Sequence, residues 1–139
     1  APSRGLGDVY KRQGVKGISG ISSDIREVEA GIREGNERAK LAMEMYDYRI
    51  KKYIGAYAAA MGGVDIVVFT AGVGEHQWDV RQGACEDLEF MGIKIDAEKN
   101  KANCGEEEII SAPDSKVKVV VVPTDEELLI ASDTLDLVK

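Results

Sequence analysis

The sequence has 139 residues, of which 44% are hydrophobic and 31% charged, and its formal net charge is −7. This length suits one domain, and the apolar content is too high for a disordered chain. An acidic chain without clustered lysine and arginine does not fit nucleic acid as a partner. No apolar run approaches the roughly 20 residues of a membrane span, and no secretory leader is recognisable, so we expect a cytoplasmic protein.

The first thirteen residues have no pattern that joins them to the rest of the sequence. The chain does not begin with Met, and residues 8–13 (DVYKRQ) resemble the in-frame translation of an adapter used in sequencing-library preparation. We therefore interpret residues 1–13 as a non-native or disordered leader, with a native flexible terminus as the alternative. Residues 14–139 are then the folded part, and we expect the chain to be incomplete.

The next segment is predicted to contain a loop and a short helix. Residues 14–20 are rich in glycine, which favours a loop or strand edge over a helix. Ser22, Ser23 and Asp24 are typical N-cap residues, and the spacing after them predicts a helix over Ile25–Ile32.

A longer helix is predicted from Asn36 to about Met61. Its apolar side chains recur at three- and four-residue steps, which indicates a buried face. Aromatic residues and Met are also enriched at interfaces, so contact with another subunit is the alternative. The residues of this stripe are Met43, Tyr46, Ile50, Tyr53, Ile54 and Tyr57.

The second half of the chain alternates predicted strands and helices. The apolar run Val64–Thr70 predicts a strand buried on both faces, followed by a turn and a helix from about Asp79 to Phe90. The remaining predictions are strands at Ile93–Ile95, Glu108–Ser111 and Val117–Val122, a polar loop at Asp96–Gly105 and a last helix from Glu126 to about Leu137. This order predicts an α/β fold with a largely parallel sheet.

The connection after the first strand is the first candidate site. Gly72 and Gly74 permit positive φ and let a ligand approach the backbone, while N–H groups at a helix start favour an anion. The pattern is neither GxGxxG, because Gln77 stands at the third glycine, nor a Walker loop. A nucleotide loop and a plain strand-to-helix connection both remain open from this pattern alone.

Three further candidates have plain structural alternatives. Asp24 and Arg26 can contact a nucleoside and a phosphate, or can serve as an N-cap with a surface arginine. Residues 125–127 (DEE) can hold Mg²⁺, or can complement a helix dipole. His76 is the only histidine in the sequence, and the pattern does not mark it as a general base.

Four segments in this order carry a resemblance: Gly17–Arg26, Val67–Glu75, Leu88–Lys94 and Pro123–Leu128. Together they resemble the C-terminal part of the acetate kinase and short-chain acyl kinase family, over residues 14–139 almost without a gap. The resemblance implies the α/β fold of the actin/hexokinase-like (ribonuclease H-like) superfamily. In that fold two domains close on a cleft, and this chain is similar to an incomplete C-terminal domain.

The resemblance also implies a function. The family transfers a phosphoryl group between ATP and acetate, giving ADP and acetyl phosphate, with Mg²⁺, and its C-terminal domains pair into a homodimer. Residues 24–26 match the segment that contacts adenosine, residues 72–76 the second nucleotide loop, and residue 126 the acid associated with Mg²⁺. The matching positions are therefore Asp24, Ile25, Arg26, Gly72, Val73, Gly74, Glu75, His76 and Glu126.

The sequence departs from the family pattern in two ways. His76 stands where the family usually has Asn, and Gly83 replaces a better helix former. The family's catalytic residues have no match in this chain, so no catalytic residue is assigned and we expect no kinase activity from the chain alone. The alternatives are a stand-alone nucleotide-binding or dimerisation module of the same fold, and a propionate or butyrate kinase.

Overall fold

The computed structural model describes residues 13–138. They divide into two compact units, one up to Ala60 and one from Met61 onward. The described part of the first unit is helical, and the second combines helices with a small sheet. Residues 1–12 lie outside the described residues, so the interpretation of a leader stays a prediction.

The first unit begins with a helix where the sequence predicted a loop. Helix α1 spans Gly14–Ser19 and ends at Gly20, whose φ of 73° is left-handed and whose N–H bonds to Lys16 O. The Arg38 side chain donates to the carbonyls of Ile18, at 2.9 Å, and Gly17, at 3.4 Å. The loop prediction was wrong because these long-range bonds satisfy the end of a glycine-rich helix that has low intrinsic propensity.

Helices α2 (Ile25–Arg33) and α3 (Glu37–Met61) confirm the two other helix predictions in this region. Asn36 caps α3, since its Oδ1 accepts from Arg38 N and Ala39 N. The buried face of α3 consists of small residues and one methionine: Ala39, Ala42, Met43 and Ala58.

The tyrosines of the predicted α3 stripe are not part of this core. Tyr53 is 49% exposed and Tyr57 is 62% exposed, and their rings stack at 5.9 Å. The prediction of a buried face was therefore wrong for this end of the stripe, although Met43 is buried as expected. An aromatic surface of this kind leaves the alternative, a contact with another subunit, as a prediction.

The second unit is built on three strands: β1 (Ile66–Phe69), β2 (Glu108–Ile109) and β3 (Lys118–Val121). Their order is β1-β3-β2, with β1 parallel and β2 antiparallel to β3. The sheet is therefore mixed and not largely parallel. Ile93 and Ile95 form isolated bridges only, where a brief strand was expected.

Strand β1 is covered on one face. Ile66 and Val68 are 53% and 52% exposed, whereas Phe69 is buried, so the prediction of burial on both faces was wrong. Strand β1 lies at the edge of the sheet, and the central strand β3 carries the fully buried Val119 and Val121 instead.

The helices of the second unit are α4 (Ala71–His76), α5 (Trp78–Cys85), α6 (Ala97–Ala102) and α7 (Glu126–Val138), with a 3₁₀ turn at Glu89–Met91. The predicted helix to Phe90 ends early, because Asp87 adopts a φ of 59° that a helix does not allow. The predicted polar loop contains α6, capped by Asp96 Oδ1, which accepts from Lys99 N. The last helix is confirmed.

Candidate functional site

The predicted nucleotide loop is helix α4, which follows strand β1 directly. Its two glycines do not adopt positive φ; Ala71 does, at 59°. The prediction that the glycines provide left-handed backbone was therefore wrong. Gly74 is needed for space instead, because a Cβ there would lie 3.1 Å from the Phe69 carbonyl carbon. At Gly72 a Cβ would meet nothing within 4 Å.

Gly72 opens onto a cavity of about 440 Å³, a size within the usual range for ligand sites. One wall of this cavity is the start of helix α4. The opposite wall, called the acidic wall below, is the polar segment 124–127 at the start of helix α7. The residues around the cavity are Ala71, Gly72, Thr124, Asp125, Glu126 and Glu127. The structure thus brings together two sites that the sequence placed 54 positions apart, counted from Gly72 to Glu126.

The acidic wall offers one predicted metal ligand. Asp125 Oδ1 accepts from Leu128 N at 3.0 Å and so caps helix α7, while Glu126 lines the cavity. Among residues 13–138 no group of three or more His, Cys, Asp or Glu side chains is placed to hold a metal ion. Glu126 fits Mg²⁺ nonetheless, because this ion accepts one or two carboxylates and fills its other positions with water and phosphate oxygens.

The carboxylate of Glu75 bonds to the opposite wall of the cavity. It is 7% exposed, and its Oε1 accepts from both the backbone N–H and the Oγ1 hydroxyl of Thr124, each at 2.9 Å. These two bonds are the main reason that the pKa of Glu75 is lowered. Glu75 therefore links α4 to the acidic wall, and its direct contact with a nucleotide stays a prediction.

Helix α4 is also held by Arg81, a residue that was not among the predicted site residues. Arg81 is fully buried, and its Nη1 donates to the carbonyls of Gly74, at 2.9 Å, and Glu75, at 2.6 Å. Its other donors reach the side chain and carbonyl of Asn100 and the carbonyl of Asn103. Burial among these neutral acceptors lowers the pKa of Arg81.

Helical spacing was the signal that could have revealed Arg81. Ala84, Cys85 and Leu88 follow it by three, four and seven positions, and all three are buried. This spacing places Arg81 on the apolar face of its helix, where a charged side chain needs specific partners.

His76 lies on the surface with an identified neighbour. Its Nδ1 is 3.1 Å from the Cys104 carbonyl oxygen. A Cβ at Gly105 would lie 2.5 Å from the imidazole Cε1, so the ring requires glycine there. Val73, the other member of the predicted loop, is half-buried. Contacts of Val73 and His76 with a nucleotide stay predictions.

The predicted adenosine segment belongs to the first unit. Asp24 caps helix α2 through Arg26 N, and its carboxylate also pairs with the Arg26 guanidinium at 2.7 Å. The hydrogen bonds from Arg26 lower the pKa of Asp24, and the same pair raises the pKa of Arg26. Ile25 is half-buried at the start of the helix. The structure confirms the N-cap, while the nucleoside contact stays a prediction.

None of the helices between residues 13 and 138 combines the length and the apolar character needed to cross a bilayer.

Together, the mixed sheet, the short helix that follows strand β1 and the acidic start of helix α7 across a polar cavity define a part of an α/β protein. The model of the Acetokinase family matches residues 7–132. The chain therefore belongs to the acetokinase family, which confirms the resemblance inferred from the four segments.

Individual relatives agree with this assignment. The acetate kinase of Parabacteroides distasonis is 62% identical over 134 residues, which are 96% of this chain and 34% of that protein. The crystal structure of Porphyromonas gingivalis acetate kinase matches all of this chain and 35% of its own, with a TM-score of 0.88 and 58% identity. A Francisella tularensis propionate kinase structure matches 91% of this chain and 33% of its own, with a TM-score of 0.77 and 32% identity.

These matches confirm the predicted fold class. The chain spans about a third of the length of the relatives that it matches.

Proposed function

We propose that this chain is the nucleotide-binding part of an ATP:acetate phosphotransferase, which converts acetate and ATP into acetyl phosphate and ADP reversibly. The observation that carries the proposal is the cavity that joins Gly72 to Glu126. It lies within a chain that is 62% identical to an acetate kinase. In this proposal, the cavity receives the phosphate groups of ATP or ADP.

The residues around the cavity suit phosphate and a metal ion better than an apolar ligand. Gly72 leaves open space at the start of α4, so a phosphate oxygen can approach the backbone closely. Glu126 supplies a carboxylate for Mg²⁺, whose charge offsets that of the phosphates. Because the described chain lacks a cluster of three metal-ligating side chains, we expect metal and nucleotide to bind together.

Acetate is the proposed acyl substrate because the similarity to acetate kinases is greater. The chain is 58% identical to an acetate kinase of known structure and 32% identical to a propionate kinase of known structure. Propionate is the alternative, and a direct comparison of the two acids as substrates of the whole enzyme decides between them.

We also propose that the protein forms a homodimer through the exposed aromatic surface of helix α3. Tyr53 and Tyr57 are one turn apart on this helix, are 49% and 62% exposed, and stack their rings at 5.9 Å, so they form one exposed aromatic patch. A second copy of the chain is the occupant that the family suggests. We further propose that the enzyme is cytoplasmic and acts there on small soluble substrates.

The proposal is tested by calorimetric titration of the chain with ADP, with and without Mg²⁺. We expect heat of binding that is larger with Mg²⁺, and a loss of this Mg²⁺ dependence in Glu126→Gln. Asp133→Asn, a similar change at an exposed position of the same helix, is the matched control. Absence of ADP binding, or equal Mg²⁺ dependence in Glu126→Gln and the wild type, would contradict the proposal.

A further inference from the structure

Glu75 connects the two walls of the cavity. We propose that Glu75 is a positioning residue, which holds Thr124 and the following Glu126 at a fixed separation from Ala71 and Gly72. The separation then suits a phosphate group bridged to a metal ion. This inference rests on the proposed function and adds to it the residue that sets the geometry of the site.

The first support is the position of the connection. The parallel pairing of β1 with β3 continues as far as the bond from Val122 N to Phe69 O, at 2.9 Å. Beyond this bond, the segments that follow β1 and β3 separate and form the opposite walls of the cavity. The Glu75 carboxylate connects these two segments again, because it accepts bonds from both the N–H and the hydroxyl of Thr124.

The second support is that the carboxyl group of Glu75, which belongs to helix α4, is buried and accepts both an N–H and an O–H bond from Thr124 of the opposite wall. A buried carboxylate that accepts several N–H and O–H bonds has a fixed orientation. Any shift of Thr124 away from α4 would leave this 7% exposed carboxylate without those donors.

The third support is the short path from this bond to the predicted ligands. Thr124 immediately precedes Asp125, which caps helix α7, and Glu126 is the next residue. On the other side, Arg81 fixes the carbonyl of Glu75 itself at 2.6 Å. The bonds of Glu75 to Arg81 and to Thr124 therefore couple the position of the Glu126 backbone to that of Gly72.

The test uses four variants of the chain. Glu75→Ala removes all bonds from the carboxylate, and Thr124→Val removes the hydroxyl while keeping shape and the backbone N–H. Thr124→Ser restores the hydroxyl and is the rescue variant. Thr134→Val is the matched control, because it removes a hydroxyl that bonds only to Ile130 O, one turn back on helix α7.

The first measurement is made without ligand, by amide NMR spectra and hydrogen exchange. We expect faster exchange and shifted signals at both Gly72 and Glu126 in Thr124→Val, and spectra close to wild type at these residues in Thr124→Ser and Thr134→Val. Thr124→Val should also raise the pKa of Glu75, whereas Thr124→Ser and Thr134→Val should leave it unchanged. Unchanged signals at Gly72 and Glu126 in Thr124→Val would overturn the inference, even if Glu75→Ala fails to fold.

The second measurement uses ADP with Mn²⁺, which broadens the signals of nearby amides. In the wild type we expect broadening at Gly72 and Glu126, with about ten-fold weaker ADP affinity in Thr124→Val and recovery in Thr124→Ser. Equal affinity in Thr124→Val and Thr124→Ser would overturn the inference. Absence of broadening in the wild type would contradict the proposed function instead, and the ligand-free spectra would still decide the role of Glu75.

Discussion

The segment Asp24–Arg26 and helix α4 are both predicted to contact a nucleotide, but they are held in place differently. The Asp24 carboxylate bonds to Arg26, only two positions away, and the two side chains are 38% and 81% exposed. Helix α4 is fixed by Arg81 and Thr124, and the bond to Thr124 spans 49 positions. One segment is therefore shaped by its own sequence and the other by distant parts of the second unit.

This difference predicts where substitutions will act. Changes around α4 should alter the folding of the second unit together with its cavity. Changes at Asp24 and Arg26 should leave the fold almost intact and should alter only the contact with a ligand. Four substitutions separate these expectations.

The largest effect is expected for Arg81→Met. The substitution keeps much of the volume but leaves the buried carbonyls of Gly74, Glu75 and Asn100 without their donor. We expect the free energy of unfolding to fall by about 3 kcal/mol or more, as measured by urea denaturation. Arg81→Lys keeps a charge but not the five donors, and should recover only part of the loss. Wild-type stability in Arg81→Met would contradict a supporting role for this side chain.

A smaller effect is expected for Gly74→Ala. The new methyl group would lie 3.1 Å from the Phe69 carbonyl carbon, so the backbone of β1 or α4 has to shift. We expect a loss of about 1 kcal/mol in the free energy of unfolding.

Gly72→Ala is the matched control, because its methyl group meets no atom within 4 Å. Its stability should stay within about 0.5 kcal/mol of the wild type. Its ADP affinity should fall all the same, since the methyl group would project toward the cavity. If Gly72→Ala were the more destabilising of the two, the assignment of their roles would be wrong.

Gly72 and Gly74 show which features of the site could be predicted from the sequence and which could not. The sequence predicted a turn where the structure has helix α4, and it explained the glycines incorrectly, because the positive φ belongs to Ala71 and Gly74 is needed to approach Phe69. A one-dimensional pattern does not show whether conformation or space requires a glycine.

Contacts between residues close in the sequence could be predicted from it, and contacts between distant residues could not. The cap at Asp24 was predictable because its partner is two residues away. The network of Arg81 was not recognised, since its partners Asn100 and Asn103 lie 19 and 22 positions away in a segment that reads as a polar loop. That Gly72 and Glu126 line one cavity was not predicted by either motif and was found only in the structure.

A still smaller effect on stability is expected for Asp24→Ala, which removes the cap of helix α2. Asp24→Asn is the control, because Asn caps helices equally well but does not titrate. The folded pKa of Asp24 is lowered by Arg26, so the contribution of its charge is complete above about pH 3.9. It is lost as the pH falls through the lowered folded value.

Amide exchange of the first turn of α2, measured against pH, checks this expectation. After division by the intrinsic exchange rate at each pH, the protection of these amides should fall at low pH in the wild type and should depend less on pH in Asp24→Asn. Equal pH dependence in both proteins would show that the Asp24 charge does not stabilise the helix.

The smallest effect on stability is expected for Arg26→Ala, since exposed ion pairs contribute little. Its urea denaturation curve should overlay that of the wild type. If Arg26 contacts the nucleotide, as the resemblance implies, ADP affinity should nevertheless fall. A denaturation midpoint that falls as far as in Arg81→Met would remove the distinction between the two segments.

The cavity that joins Gly72 to Glu126 is the central feature of the proposed site, and an amide NMR titration with ADP and Mg²⁺ tests it most directly. We predict that the signals of Gly72 and Glu126 shift together, with one saturation curve, and that omission of Mg²⁺ weakens both shifts. Saturable shifts confined to residues away from the cavity, or no shifts at millimolar ADP, would contradict it.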